Sequence, residues 1–130
     1  MEQPDDEKIC LGIDWGEKRI GLALGDTETK MALPFKTVGS LKEVVDIIKE
    51  EEVELIVLGA PYKRENSREL SSEFEQFRQE LEKASGIEAV LTDERLTTKE
   101  ADSLPGDKKV KADLDSTSAM LILRQYLSEI

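Results

Sequence analysis

The sequence has no histidine and a single cysteine, and only 5% of its 130 residues are aromatic. Without histidine, the chain lacks the side chain that most often acts as a general acid or base near neutral pH. Cys10 lies within an apolar run and has no partner for a disulfide, which predicts a small buried core residue in a reducing compartment. Any chemistry of this protein therefore has to come from other groups.

Long apolar segments are also missing. No run approaches the roughly 20 apolar residues that a membrane helix needs. Residues 1 to 7 are acidic and polar and match neither a signal peptide nor a transit sequence, so we expect a disordered acidic tail there, no membrane partner and a cytoplasmic location. Residues 8 to 130 suffice for one domain with its own core.

Positive charge is scarce, because 29 acidic residues outnumber 18 basic residues and leave a net charge of -11. Taken alone, this balance argues against a nucleic-acid partner, since contacts to phosphate need lysine and arginine. The basic residues nevertheless collect in predicted loops, and loops that converge would form a positive rim on an acidic body. These residues are Lys18, Arg19, Lys63, Arg64, Arg95, Lys99, Lys108, Lys109 and Lys111.

The spacing of apolar residues predicts three strands, a helix, a strand, a helix, a strand and a helix. The simplest α/β fold for this order of elements is a five-stranded mixed sheet with helices on both faces. Three antiparallel strands are followed in it by two parallel strands. Pro34 marks the third strand as an edge strand, because proline donates no ladder hydrogen bond. The predicted strands are residues 8–14, 19–26, 31–38, 55–58 and 87–91.

The predicted helices differ in how clearly their ends are marked. The first covers residues 41–51 and begins with a capping box at Ser40 and Glu43. The second is a long helix capped by Asn66 with Glu69, and it ends at Gly86. The remaining predictions are a short helix from Thr97, a mobile loop over residues 102–112, and a C-terminal helix beginning at Asp113 or Asp115.

One carboxylate, Asp14, stands where the first apolar strand runs out. An uncompensated buried carboxylate is costly, so this acid has to be hydrated, paired or bound to a cation. Gly12, Gly16 and Gly21 leave the nearby backbone without side chains, which predicts room for a phosphate or a hydrated metal ion. The simpler alternative is a hairpin in which Gly16 forms the turn and Asp14 is a turn residue.

Acids also stand at the ends of two other predicted elements. Asp93 and Glu94 follow the fifth strand, and Asp115 stands at the start of the last helix. Ligands of α/β sheets bind outside the carboxyl ends of parallel strands, so Asp14 and one acid after the fifth strand are expected at the same edge. Strand alternation lets only one of Asp93 and Glu94 point into that site. Two Mg²⁺ or Mn²⁺ ions about 4 Å apart would neutralise such carboxylates and stabilise the oxygens of a phosphodiester displacement.

Each of these acids also has a structural explanation. Asp115 could serve the dipole of its helix, because an acid is favoured in the first turn. Asp93 and Glu94 could pair with Arg95 or cap the helix that begins near Thr97. Three acids at the ends of three elements, without a competing nucleophile, favour the metal site.

Four blocks of residues, at 12–21, 58–61, 93–98 and 114–123, resemble the YqgF/RuvX family of pre-16S ribosomal RNA nucleases. This family is related to Holliday junction resolvases and has an RNase H-like fold. The most specific block is 93–98, with the sequence Asp-Glu-Arg-Leu-Thr-Thr, whereas the first block is also similar to the phosphate loop of actin-like ATPases. Residues 62–67 depart from the family pattern, because they contain no glycine.

The resemblance implies that Asp14, Glu94 and Asp115 are the catalytic, metal-binding acids of a divalent-cation-dependent nuclease. Lys63 and Arg64 lie in the segment that departs from the family pattern, and they are expected to contact a backbone phosphate. The resemblance also implies a set of substrate-binding or orienting residues around the site, which are Gly16, Lys18, Arg19, Arg95 and Thr98.

These features together predict a cytoplasmic hydrolase that cleaves phosphodiester bonds. The expected substrate is an rRNA precursor, cut at the 5′ end of pre-16S rRNA, and ribosomal particles are an expected partner. Branched DNA is the alternative substrate, and symmetric resolution of a Holliday junction would require a homodimer rather than a monomer. Two further classes stay open, a non-catalytic ribosome- or RNA-binding factor and an actin-like phosphate binder.

Overall fold

One sheet of five strands lies at the centre of the computed structural model, which describes residues 7–61, 69–93 and 111–130. The first three strands pair antiparallel, and the last two pair parallel to the first strand and to each other. The strands are β1 (Ile9–Trp15), β2 (Ile20–Asp26), β3 (Ala32–Val38), β4 (Leu55–Ala60) and β5 (Ala89–Asp93). Their order across the sheet is β3-β2-β1-β4-β5, which confirms the predicted mixed sheet and the edge position of the strand with Pro34.

Three helices lie in the described ranges: α1 (Leu41–Glu50), α2 (Ser72–Ser85) and α3 (Lys111–Ser128). The capping box of α1 is confirmed, because the Ser40 hydroxyl accepts a hydrogen bond from the Glu43 backbone N–H at 3.3 Å. None of the helices in these ranges combines the length and apolar composition that a membrane crossing requires.

The predicted cap of α2 at Asn66 is wrong, although its predicted end at Gly86 is confirmed. The helix begins at Ser72, because the Ser71 hydroxyl accepts a hydrogen bond from the Phe74 backbone N–H at 3.1 Å. At the other end Gly86 has φ 74°, a left-handed conformation that glycine adopts without strain, and its N–H donates to the Glu82 carbonyl.

Other predicted boundaries also move, and β4 extends two residues beyond its predicted end, to Ala60. β5 is shifted two residues toward the C-terminus, because residues 87 and 88 complete the connection from α2 and pairing with β4 begins only at Ala89. α3 begins at Lys111 rather than at Asp113 or Asp115, because Lys111 and Ala112, which directly precede the acids, are good helix formers. Residues 111 and 112, the last two of the predicted loop, are therefore helical. The rest of that loop, the short helix from Thr97 and residues 1–6 of the predicted tail lie outside the described residues.

The sheet separates two cores, and α1 and α2 cover one face while α3 covers the other. Leu11 and Ile13 of β1 face α1 and α2, whereas Cys10 of the same strand faces α3. This alternation follows from the pleat, which points successive side chains to opposite faces. Phe74 and Phe77 of α2 are core residues, as predicted. Helices on both faces of the sheet are therefore confirmed.

The thiol of Cys10 is expected to react very slowly in the folded protein. The side chain is fully buried, its Sγ lies 3.6 Å from the Lys8 carbonyl oxygen, and burial raises its pKa to about 11. Because the thiolate is the reactive form, we expect labelling by a disulfide reagent at pH 8 to be at least about a hundredfold slower in native protein than in urea-unfolded protein. Equal rates in the two states would show that Cys10 is accessible.

Candidate active site

An open cleft of about 410 Å³ lies where β1 ends and the chain turns into β2. Six consecutive residues, from the end of β1 through the turn that follows it, line the cleft together with one residue from α3. The fold thus brings Asp14 and Asp115, two of the predicted acids, into one site. The lining residues are Asp14, Trp15, Gly16, Glu17, Lys18, Arg19 and Asp115.

Asp14 is held in place by the strand and not by a turn. It is the sixth of the seven residues of β1 and lies opposite Gly21 of β2, so its alternative assignment as a turn residue is wrong. Its neighbour Trp15 packs on the opposite face, with ring centroids 5.7 Å from Phe74 and 6.0 Å from Phe77. Because side chains alternate along a strand, this packing fixes Asp14 on the face that α3 covers.

Asp115 reaches the cleft because α3 lies directly on two glycines of the sheet. A Cβ atom on Gly21 would overlap the backbone carbonyl oxygen of Asp115. A Cβ atom on Gly12 would stand 2.7 Å from Leu123 Cβ and 2.8 Å from the Ala119 carbonyl oxygen. The prediction that Gly12 and Gly21 leave room for a phosphate or a metal ion is therefore wrong, since the helix backbone fills that space.

Gly16 has a different role from the other two glycines. It lines the cleft, in the turn between β1 and β2. A Cβ atom there would stand 2.8 Å from the Arg19 carbonyl oxygen, a contact that is too close for a larger residue. Glycine at this position allows the tight turn that brings Arg19 back toward the end of β1.

An ion pair joins the turn to α3 across the cleft. Arg19 Nε donates a hydrogen bond to Asp115 Oδ2 at 2.6 Å. The Arg19 side chain is 50% exposed, whereas that of Asp115 is only 24% exposed. The cleft therefore carries three carboxylates, on Asp14, Glu17 and Asp115, and two cations, on Lys18 and Arg19. These two cations are the part of the predicted positive rim that the structure describes at the cleft.

The structure also separates Asp93 from the cleft acids. Asp93 ends β5 and shares a face with Leu91 and Ala89, which pack into the core beneath α1 and α2. Asp14 lies on the other face of the sheet. The other predicted site residues, Glu94, Arg95, Thr98, Lys63 and Arg64, lie outside the described residues.

The donors of this cleft fit a hard divalent cation. Carboxylate oxygens are the ligands that Mg²⁺ prefers, and Asp14 and Asp115 present them at a cleft that is open to solvent. Across residues 7–61, 69–93 and 111–130, the structure assembles no group of three histidine, cysteine, aspartate or glutamate side chains able to hold a metal ion. Within the described residues the cleft therefore offers Asp14 and Asp115 as candidate ligands, and water or further groups would complete the coordination of a metal ion.

Three features of the site were not predicted from sequence. Trp15 and Glu17 line the cleft beside the predicted residues. Trp15 borders the cleft because it is bonded to Asp14, while strand alternation turns its ring to the other face, against Phe74 and Phe77. The contact between Gly21 and the backbone of Asp115 joins residues far apart in the chain, and no local pattern indicates it.

The strand order, the two helix layers and the cleft at the end of the first strand define an RNase H-like α/β protein with two aspartates at one cleft. A model of the RuvX family, described as Holliday junction resolvase, matches residues 8–129, and the chain belongs to this family. The resemblance to the YqgF/RuvX family is thereby confirmed.

Curated relatives match nearly the whole chain. A protein of Chlamydia abortus named "Putative pre-16S rRNA nuclease" is 34% identical, over 98% of this chain and 95% of its own length. A protein of Coxiella burnetii with the same name is also 34% identical, over 97% of this chain and 96% of its own length.

Solved structures confirm the fold. Thermus thermophilus RuvC, in complex with a Holliday junction substrate, superposes with a TM-score of 0.62 at 10% identity, and the match covers 94% of both chains. A second T. thermophilus RuvC structure gives a TM-score of 0.58 at 14% identity, over 88% of this chain and 92% of that one. The predicted RNase H-like fold is therefore confirmed.

Proposed function

We propose that the protein is a divalent-metal-dependent nuclease that hydrolyses phosphodiester bonds in an rRNA precursor and processes the 5′ end of pre-16S rRNA. One observation carries this proposal. Asp14 at the end of β1 and Asp115 in α3 line the same open cleft, although they come from opposite ends of the chain. Paired carboxylates at a solvent-open cleft, without histidine anywhere in the chain, suit chemistry based on Mg²⁺ or Mn²⁺.

In this proposal Asp14, Glu94 and Asp115 are the catalytic acids that hold two divalent ions. Glu94 is chosen over Asp93 because Asp93 lies on the face away from Asp14. When bound, a divalent ion supplies electrostatic stabilisation of the charge that develops on the reacting phosphate oxygens. The protein's own residues bind and orient the nucleic acid and hold the three carboxylates in position.

Basic residues of the loops bind the nucleic-acid backbone. Lys18 and Arg19 line the cleft, so they stand where a phosphate next to the reacting bond would lie. The other residues proposed for substrate binding are Gly16, Lys63, Arg64, Arg95 and Thr98. We take residues 8–130 as one nuclease domain, acting in the cytoplasm on RNA or on ribosomal particles.

The family description favours one alternative substrate, a Holliday junction in branched DNA. The chemistry at Asp14 and Asp115 would be the same. Symmetric cleavage of a four-way junction needs two active sites, so this alternative requires a homodimer, whereas a monomer suffices for end processing of RNA.

Metal removal tests the proposal on both substrates. The protein is incubated with a pre-16S rRNA fragment that spans the mature 5′ boundary and with a four-way DNA junction, in Mg²⁺, in Mn²⁺ and in EDTA. We expect cleavage of the RNA with either metal, a loss of at least about a hundredfold in EDTA, and recovery when Mg²⁺ is added back. Cleavage of the junction alone would favour the DNA alternative. RNA binding without cleavage under every condition would overturn the nuclease proposal in favour of a non-catalytic RNA-binding factor.

A further inference from the structure

Arg19 and Asp115 both line the cleft and form an ion pair with each other. The contact spans 96 residues of sequence, and at 2.6 Å it is a short, charge-assisted hydrogen bond. The carboxylate is mostly covered, while half of the guanidinium side chain is in solvent. Arg19 is therefore held through its Nε, while half of its side chain is exposed to solvent.

A guanidinium and a divalent cation compete for the same carboxylate. A cation that bridges Asp14 and Asp115 would approach the oxygens of Asp115 from the same cleft. Two cations a few ångströms apart repel each other, and the half-exposed guanidinium of Arg19 can be displaced into solvent.

We propose that Arg19 is an internal counter-cation that neutralises Asp115 before metal binds and then moves to a backbone phosphate of the nucleic acid. This inference rests on the proposed function. Once displaced, the guanidinium offers a planar set of N–H donors that matches phosphate geometry. Binding of the metal then raises the affinity for nucleic acid through this side chain. Binding of nucleic acid raises the affinity for the metal by the same factor. Arg19 is thus a positioning residue for Asp115 in one state and a phosphate ligand in the other.

Lys18 provides a matched control for Arg19. It is the preceding residue, it lines the same cleft and it is exposed. Lys18→Gln and Arg19→Gln each remove one positive charge from nearly the same place, but only Arg19→Gln removes the contact to Asp115. A difference between the two variants therefore reports the ion pair and not the overall charge of the cleft.

The test measures Mn²⁺ affinity by isothermal titration calorimetry, without nucleic acid, for the wild type and both variants. We expect Arg19→Gln to bind Mn²⁺ about fivefold more tightly than the wild type, and Lys18→Gln to differ by less than about twofold. A second measurement follows the binding of a cleavage-resistant oligoribonucleotide by fluorescence anisotropy, with Mn²⁺ and in EDTA. The gain in affinity with Mn²⁺ is expected to be at least about fivefold in the wild type and in Lys18→Gln, and less than about twofold in Arg19→Gln.

Failure of the inference and failure of the proposed function give different results. Equal changes in Mn²⁺ affinity for the two variants, or weaker Mn²⁺ binding by Arg19→Gln, would overturn the role of Arg19 and leave the metal site in place. No Mn²⁺ binding by any form, or binding that Asp14→Asn leaves unchanged, would remove the proposed metal site and this inference with it.

Discussion

Asp14→Asn is expected to lower the rate of RNA cleavage by about a thousandfold in Mg²⁺. The substitution preserves the size of the side chain but removes its negative charge and one of its two ligand oxygens. Electrostatic stabilisation by a divalent ion contributes several kcal/mol, and about 4 kcal/mol corresponds to a thousandfold in rate. Single-turnover cleavage of the pre-16S rRNA fragment measures this loss directly. Asp115→Asn is expected to give a loss of similar size, since both carboxylates line the same cleft.

Asp46→Asn is the matched control for this prediction. Asp46 is a half-exposed residue of α1, its carboxylate lies 3.1 Å from Lys42 Nζ, and α1 covers the face of the sheet away from Asp14. We expect its cleavage rate to stay within about twofold of the wild type. If Asp14→Asn and Asp46→Asn cleave equally well, and thermal melts show both folded, the cleft acids are not catalytic.

Gly21→Ala is expected to destabilise the protein by about 2 to 3 kcal/mol. The added Cβ would overlap the backbone carbonyl oxygen of Asp115, and a helix backbone cannot move aside as a flexible side chain can. For a domain of this size we expect the melting temperature to fall by roughly 10 °C. The same displacement moves Asp115 relative to Asp14, so cleavage should fall together with stability.

Gly39→Ala separates this effect from the general cost of replacing glycine. Gly39 precedes the cap of α1, and an added Cβ would have only Glu43 Oε1 nearby, at 3.8 Å. Its melting temperature is expected to stay within about 2 °C of the wild type, as for most surface substitutions. Thermal unfolding followed by circular dichroism compares the two variants. A Gly21→Ala protein as stable as Gly39→Ala would mean that α3 does not rest on the glycines of the sheet.

Local patterns predicted the elements that depend on neighbouring residues. The Ser40 cap, the helix end at Gly86 and the edge strand with Pro34 each follow from the chemistry of one or two residues, and each is confirmed. The order of elements then leaves few ways to build a sheet with short connections, so the mixed topology was also predictable.

The start of α2 shows where local reasoning fails. Asn66 with Glu69 has the spacing of a capping box, yet Ser71 caps the helix instead. Both aromatic residues of the helix, Phe74 and Phe77, pack against Trp15 at the end of β1. A cap five residues earlier satisfies the sequence pattern, but the pattern contains no information on how the helix packs against the sheet.

The candidate site was predictable in its residue types and not in its geometry. Carboxylates at the ends of elements indicated Asp14 and Asp115, and the structure places both at one cleft. The glycines nearby were interpreted as open backbone, because the sequence does not show that α3 lies on Gly12 and Gly21. The pairing of Arg19 with Asp115 likewise depends on the tertiary fold, since it joins residues 96 positions apart.

The central claim is that Asp14 and Asp115 together bind a divalent cation. A crystal soaked in Mn²⁺ and measured at the manganese absorption edge tests it most directly. We predict an anomalous peak in the cleft within coordination distance of carboxylate oxygens of both Asp14 and Asp115. Manganese bound only elsewhere on the protein, with both carboxylates uncoordinated, would contradict the account.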